Sequence, residues 1–171
     1  MEVNGTSIKH KKRRGEWAEL KFMARASEHG LSVSKPWGES EPYDFIVGHE
    51  GRFLRVQVKS TTYRRANSYY CYLRASKGPL YTDGQIDFVA AYIIPRNIWF
   101  IFPISIVLRA KSTLILSPHM ETSKNGVYEE AWHLMRGEEE QVPPVALPMR
   151  AGRESFRTNS GVQLARKKSS G

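Results

Sequence analysis

A single cysteine, Cys71, leaves the chain without an intramolecular disulfide, so its core has to hold by packing alone. Long apolar runs are missing too: nothing approaches the roughly 20 residues that span a bilayer, which excludes a membrane helix. The N-terminus lacks the apolar stretch of a signal peptide, because His10-Lys11-Lys12-Arg13-Arg14 leads straight into an amphipathic segment. A cytoplasmic, reducing location is the expectation. Histidine is scattered without metal-ligand spacing at His10, His29, His49, His119 and His133, which read as structural or solvated. Base outweighs acid most at the two ends. Residues 1–14 hold five Lys/Arg against one Glu and residues 138–171 hold six against four, while residues 15–137 hold fifteen against twelve. Most of the net charge of +9 therefore sits on the ends, and basic ends favour a polyanion, which releases counterions to Lys and Arg.

What is present suffices for one domain. A chain of 171 residues, 40% hydrophobic and 25% charged, is long enough for one domain with a sizeable core and too short for two of ordinary size. Residues 1–14, without apolar periodicity and with Asn4-Gly5, read as a flexible basic arm. From Gly15 onward Trp17, Leu20, Met23, Ala24 and Ser27 recur at helical spacing, and Gly30 is placed to end the helix in a left-handed cap. The run 31–33 predicts a short edge strand, and Lys35-Pro36-Trp37-Gly38 a loop. Segments 43–47 and 52–60 read as hairpin strands around His49-Glu50-Gly51, with Leu54, Val56 and Val58 on one face and Phe53, Arg55, Gln57 and Lys59 on the other. Segment 69–73 reads as a third strand, 86–94 and 97–102 as buried strands, and 114–116 as the strand that closes the sheet. Segment 128–135 predicts a last short helix with Ala131, Trp132 and Met135 on one side. Residues 15–137 thus form an α/β domain, a mixed β-sheet flanked by helices, and residues 138–171 read as a disordered tail.

Polar groups far apart in sequence fall where this fold brings them together. Asp44 opens one hairpin strand, Gln57 and Lys59 share a face of its partner, and Glu19 sits on the first turn of a helix expected to pack on the hairpin. Alone, each has a plainer role: Asp44 as a turn residue, Glu19 as a partner of the helix dipole, Lys59 as a solvated strand end. Gln57 between two valines is harder to dismiss, because a half-buried amide needs partners. Together they suit phosphodiester hydrolysis, which needs hard oxygen ligands to hold a divalent cation and a group to orient the attacking water. In that reading Asp44 is the main ligand of Mg2+ or Mn2+, and Glu19 holds the ion directly or through its waters. The Gln57 carbonyl or a nearby backbone carbonyl completes the set. Lys59 orients the water and stabilises the charge of the transition state. Glu16 is the reserve acid if Glu19 points away. An amide where an acid is usual leaves the site less negative, so a second ion binds weakly if at all.

The order Gly15-x-x-x-Glu19, Tyr43-Asp44, Val56-Gln57-Val58-Lys59-Ser60 resembles the PD-(D/E)XK nuclease superfamily, and within it most closely the group I intron-encoded homing endonucleases of this fold. Archaeal Holliday junction resolvases are more distantly similar. The likeness runs from Gly15 to Ser60 and extends more weakly to residue 137 through Ile86-Asp87-Phe88-Val89-Ala90, the Trp99-Phe100-Ile101 run before Pro103, and Glu130-Ala131-Trp132. It implies a restriction-endonuclease-like core and catalytic roles for Glu19, Asp44, Gln57 and Lys59. Two departures stand out: Gln57 replaces the usual Asp or Glu, and the proline is displaced to Pro42 with Tyr43 intervening.

From Gly51 to Thr82 there are seven Lys/Arg and no acid, interleaved with Phe53, Tyr63, Tyr69, Tyr70, Tyr72 and Tyr81. Arg64 and Arg65, then Arg74 and Lys77, are the expected DNA contacts, with Lys11, Lys12, Arg13 and Arg14 adding sequence-independent affinity. Tyr70 and Tyr72 are assigned to the core. Cutting two strands with one small site per chain calls for paired sites, hence a homodimer or homotetramer on double-stranded DNA. The rivals are a junction-resolving or repair nuclease and a catalytically inactive DNA-binding protein of the same fold.

Overall fold

The computed structural model describes residues 5, 7–38, 40–73, 81–82, 84–110, 112–120 and 122–138. Arg74, Lys77, residues 1–4 and 6 of the expected arm, and residues 139–171 of the expected tail lie outside the described residues.

The first helix, α1, spans Lys11–Glu28. Lys11, Lys12, Arg13 and Arg14 are therefore helical, and the basic arm expected over residues 1–14 is shorter than the charge pattern suggested. The early start is hidden in the sequence because helices usually open on Ser, Thr, Asp or an acidic first turn. Here the cap is His10, whose Nδ1 accepts from the Arg13 N–H at 3.4 Å, and the first turn carries no acid. Gly30, at φ +74°, supplies the left-handed residue just past the helix, as expected. The buried stripe is Ala18, Phe22 and Ala26, whereas Leu20 is 65% exposed. Trp17 and Met23 pack at the margin of that stripe.

Strands β1 (Ser32–Ser34), β2 (Phe45–His49) and β3 (Arg52–Thr61) follow, then β4 (Arg64–Arg65) and β5 (Ser68–Tyr72). After them come β6 (Phe88–Ile93), β7 (Ile98–Pro103), helix α2 (Ile104–Val107), β8 (Thr113–Leu116) and helix α3 (His133–Arg136). The main sheet is mixed and runs β1-β2-β3-β6-β7, parallel only between β3 and β6. All six residues of β6 are buried, the continuous apolar run of a strand covered on both faces. The turn into β7 is a 3-10 turn at Ile94–Arg96 closed by Asn97 at φ 53°, a conformation that Asn tolerates.

Two cores lie on the two faces of this sheet. On one, α1 presses Ala18, Phe22 and Ala26 onto Phe45, Val47, Val56 and Val58. Phe22 stacks on Phe45 at 5.3 Å and meets Trp99 edge-on at 5.7 Å. On the other face Val89, Ala91, Phe100 and Phe102 pack against Tyr69, Cys71, Leu114 and Leu116. Those partners belong to a second antiparallel sheet, β4-β5-β8. The segment 114–116 therefore does not close the main sheet; it pairs with β5, Tyr70 opposite Ile115. The last helix is shorter than the 128–135 reading, with Tyr128 in a separate 3-10 turn, while Ala131, Trp132 and Met135 are buried as expected. No helix among the described residues is long and apolar enough to cross a membrane.

Candidate active site

The hairpin register places the chemistry. Phe45 pairs with Val56 in the β2/β3 ladder, so Asp44 stands beside Gln57 just beyond the first registered pair. The Asp44 N–H donates to the Val56 carbonyl at 2.9 Å and continues the ladder by one bond. Its carboxylate turns onto β3, where Oδ2 accepts from the Val58 N–H at 2.7 Å and from the Gln57 side-chain amide. That amide nitrogen also donates to the Val58 carbonyl at 3.3 Å. With both of its N–H groups directed to protein oxygens, Gln57 keeps its carbonyl oxygen as the group that can meet a cation or water.

Burial pushes the Asp44 carboxyl up to about 6. The Val58 N–H opposes that rise, the charge of Glu19 adds to it, and the ammonium groups of Lys59 and Lys35 pull it back. The same four groups thus act on one carboxylate. Glu19 lies in the body of α1, well past the first turn assigned to it, which removes the helix-dipole explanation of this acid. Its Oε2 is held by the Lys35 ammonium at 2.7 Å, and its side chain is 23% exposed. Lys59 projects from β3 on the face opposite Val58, and its ammonium rests over the Tyr81 ring at 5.8 Å.

The expected four therefore meet unequally. Asp44 and Gln57 are bonded directly. Glu19 shares with Asp44 a cavity of about 340 Å3, also lined by Lys12, Lys35, Glu41 and Tyr43. Lys59 reaches Asp44 only through its field, and among the described residues it has no hydrogen bond to the acid. Glu16, the reserve acid, lines the same cavity. No three of His, Cys, Asp and Glu are grouped to hold a metal ion among the described residues, so the candidate donors are Asp44 and Glu19 with the Gln57 amide. Sequence reasoning missed Lys35, because Lys35-Pro36-Trp37-Gly38 announced only a loop and nothing local marks a lysine that returns to a helix acid.

Outside the cavity, Arg64 and Arg65 lie exposed on β4. The assignment of Tyr72 to the core is overturned: it is 57% exposed, and Tyr70 is only partly buried. The inner face of the second sheet takes Tyr69, Cys71 and Leu73 instead, so alternation sends Tyr70 and Tyr72 outward. There Tyr72 stacks on Tyr63 at 6.2 Å.

A mixed sheet whose central hairpin carries an acid opposite a Gln-x-Lys strand, with a helix acid alongside, defines a nuclease of the restriction-endonuclease-like fold. Residues 9–135 match the model of the family described as PD-(D/E)XK endonuclease, and the chain belongs to that family. A solved bacterial homing endonuclease, I-Ssp6803I, is similar over 75% of this chain and 92% of its own, with 28% sequence identity and a TM-score of 0.65. No curated protein matches.

Proposed function

We propose that this protein is a Mg2+- or Mn2+-dependent endonuclease that hydrolyses phosphodiester bonds in double-stranded DNA, a homing-type enzyme working as a homodimer or homotetramer. The carrying observation is the Asp44 carboxylate, fixed by Val58 and Gln57 at a strand opening beside a second acid. The donor set fits one small hard cation. Asp44 and Glu19 share a cavity, Asp44 titrating well above its usual range because burial and the charge of Glu19 disfavour its own, and a divalent ion would relieve both effects.

In this reading Asp44 and Glu19 hold the ion and the Gln57 carbonyl completes its oxygen set. When bound, such an ion would supply Lewis-acid stabilisation of the phosphate and lower the pKa of a water. Gln57 and the Val58 N–H fix the rotamer of Asp44, so the acid does not have to reorganise when substrate arrives. Lys59 is the group that orients the attacking water and meets the charge of the transition state, moving from its place over Tyr81.

The cations support a DNA substrate. Lys11, Lys12, Arg13 and Arg14 occupy the first turn of α1, where the helix dipole disfavours positive charge, and a phosphate backbone offsets that cost. Lys12 lines the Asp44 cavity, which links this basic turn to the site. Arg64 and Arg65 beside the exposed Tyr63 and Tyr72 form a second phosphate-contacting patch.

The test is nicking of supercoiled plasmid by wild type, Asp44→Ala and Lys59→Ala, each with Mg2+ and with EDTA. Mg2+-dependent nicking by wild type alone is expected. Equal nicking by all three would mark a contaminant and favour a catalytically inactive DNA-binding protein. A four-way junction cut in preference to a linear duplex would instead favour a junction-resolving enzyme.

A further inference from the structure

Lys35 follows β1 and leaves its loop to enter the cavity of Asp44 and Glu19. Its ammonium bonds Glu19 Oε2 at 2.7 Å and lies 5.8 Å from the centre of the Phe45 ring. Phe45 is the residue after Asp44 and is fully buried, so the ammonium lies against a packed part of the core. Glu19 is therefore already paired with a full positive charge, while Asp44 is held by two N–H groups.

Resting on the endonuclease reading above, we propose that Lys35 is a positioning residue that competes with the divalent ion for Glu19. An ammonium bonded at 2.7 Å to Oε2 neutralises much of the charge that Glu19 can offer a cation, even though its other oxygen keeps its lone pairs. An ion held by Asp44 therefore gains the full charge of Glu19 only when the bond to Lys35 breaks. The released ammonium stays at the cavity, which Lys12 of the basic first turn of α1 also lines. The exchange sets the occupancy of the site: Lys35 keeps the paired acids apart from weakly held ions and frees Glu19 when a divalent cation takes Asp44.

The experiment is Mn2+ binding by isothermal titration in the full chain, without DNA, for wild type, Lys35→Met, Glu19→Gln and the double variant. Lys35→Met is expected to bind Mn2+ about two- to fivefold more tightly, the range that a partly exposed ion pair is worth. Glu19→Gln is expected to bind more weakly, and adding Lys35→Met to it is expected to change nothing further. A merely electrostatic influence of Lys35 on the cavity would survive in the Glu19→Gln background, so persistence of the gain there overturns the exchange. Equal or weaker binding by Lys35→Met overturns it as well, and leaves the endonuclease reading standing. No Mn2+ binding by wild type or by Lys35→Met would sink both.

Discussion

Replacing Asp44 by Asn is expected to make the protein more stable while removing its nuclease activity. A carboxyl that titrates near 3.8 in the unfolded chain and at about 6 in the fold is harder to ionise when folded. Below 3.8 both states carry the proton and nothing is lost; as pH rises through the folded value, the unfolded chain has already ionised and the fold is penalised. At about 1.4 kcal/mol per pH unit, the displacement corresponds to a cost of about 3 kcal/mol at neutral pH. Asn keeps an oxygen for the Val58 N–H and never ionises, so part of that cost returns. A gain of about 1 to 3 kcal/mol is expected at pH 7.5, or about 3 to 10 °C in Tm for a domain of this size. At pH 4.0 wild-type Asp44 is protonated in the fold, and the difference should shrink to well under 1 kcal/mol. Urea unfolding of both proteins at the two pH values, in EDTA, is the assay. A destabilising Asn, or a gain of the same size at both values, would refute the claim that burial and Glu19 hold Asp44 against its charge.

Two further outcomes follow from other parts of the molecule. His29 stacks on Trp132 at 5.0 Å with its Nε2 buried and, among the described residues, without a hydrogen-bond partner. Burial, helped by Arg25 and Arg136 and opposed by Glu130 and Glu28, lowers its affinity for a proton, so folding loses stability as pH falls below about 6.5. His29→Phe should raise Tm more at pH 5.5 than at pH 7.5, opposite in trend to Asp44→Asn; a pH-independent change would dismiss the histidine. The pair Arg64→Ala and Arg65→Ala should weaken DNA binding across sequences and lower the slope of log K against log salt by about 1 for each phosphate no longer neutralised, measured by fluorescence anisotropy. An unchanged slope would place the phosphates elsewhere.

The hairpin was legible because its information is local. Alternation from Leu54 to Val58 fixed which residues face α1, and the register then put Asp44 beside Gln57. The phase of α1 was not legible, because its buried stripe is one Phe between two Ala, a weaker apolar signal than the exposed Leu20 and the marginal Trp17. The second sheet escaped for a different reason. Its strands are short and β8 pairs with β5 across a long stretch of chain, Leu116 opposite Tyr69, which no periodicity announces. Within the site the same division holds: Asp44, Gln57 and Lys59 follow from strand geometry, whereas Lys35 comes from a loop whose only sequence signal was a break.

The strand that carries Gln57 and Lys59 is also the one whose outer neighbour arrives late. β3 is joined to β2 by a tight turn, but its other edge is filled by β6, beginning with Val56 opposite Phe88. A chain emerging from the ribosome can close the Asp44 turn as soon as β3 is out, yet its Gln-x-Lys segment stays an unsupported edge until some thirty more residues follow. The candidate site thus gains its flanking strand only when residues far along the chain have joined the sheet.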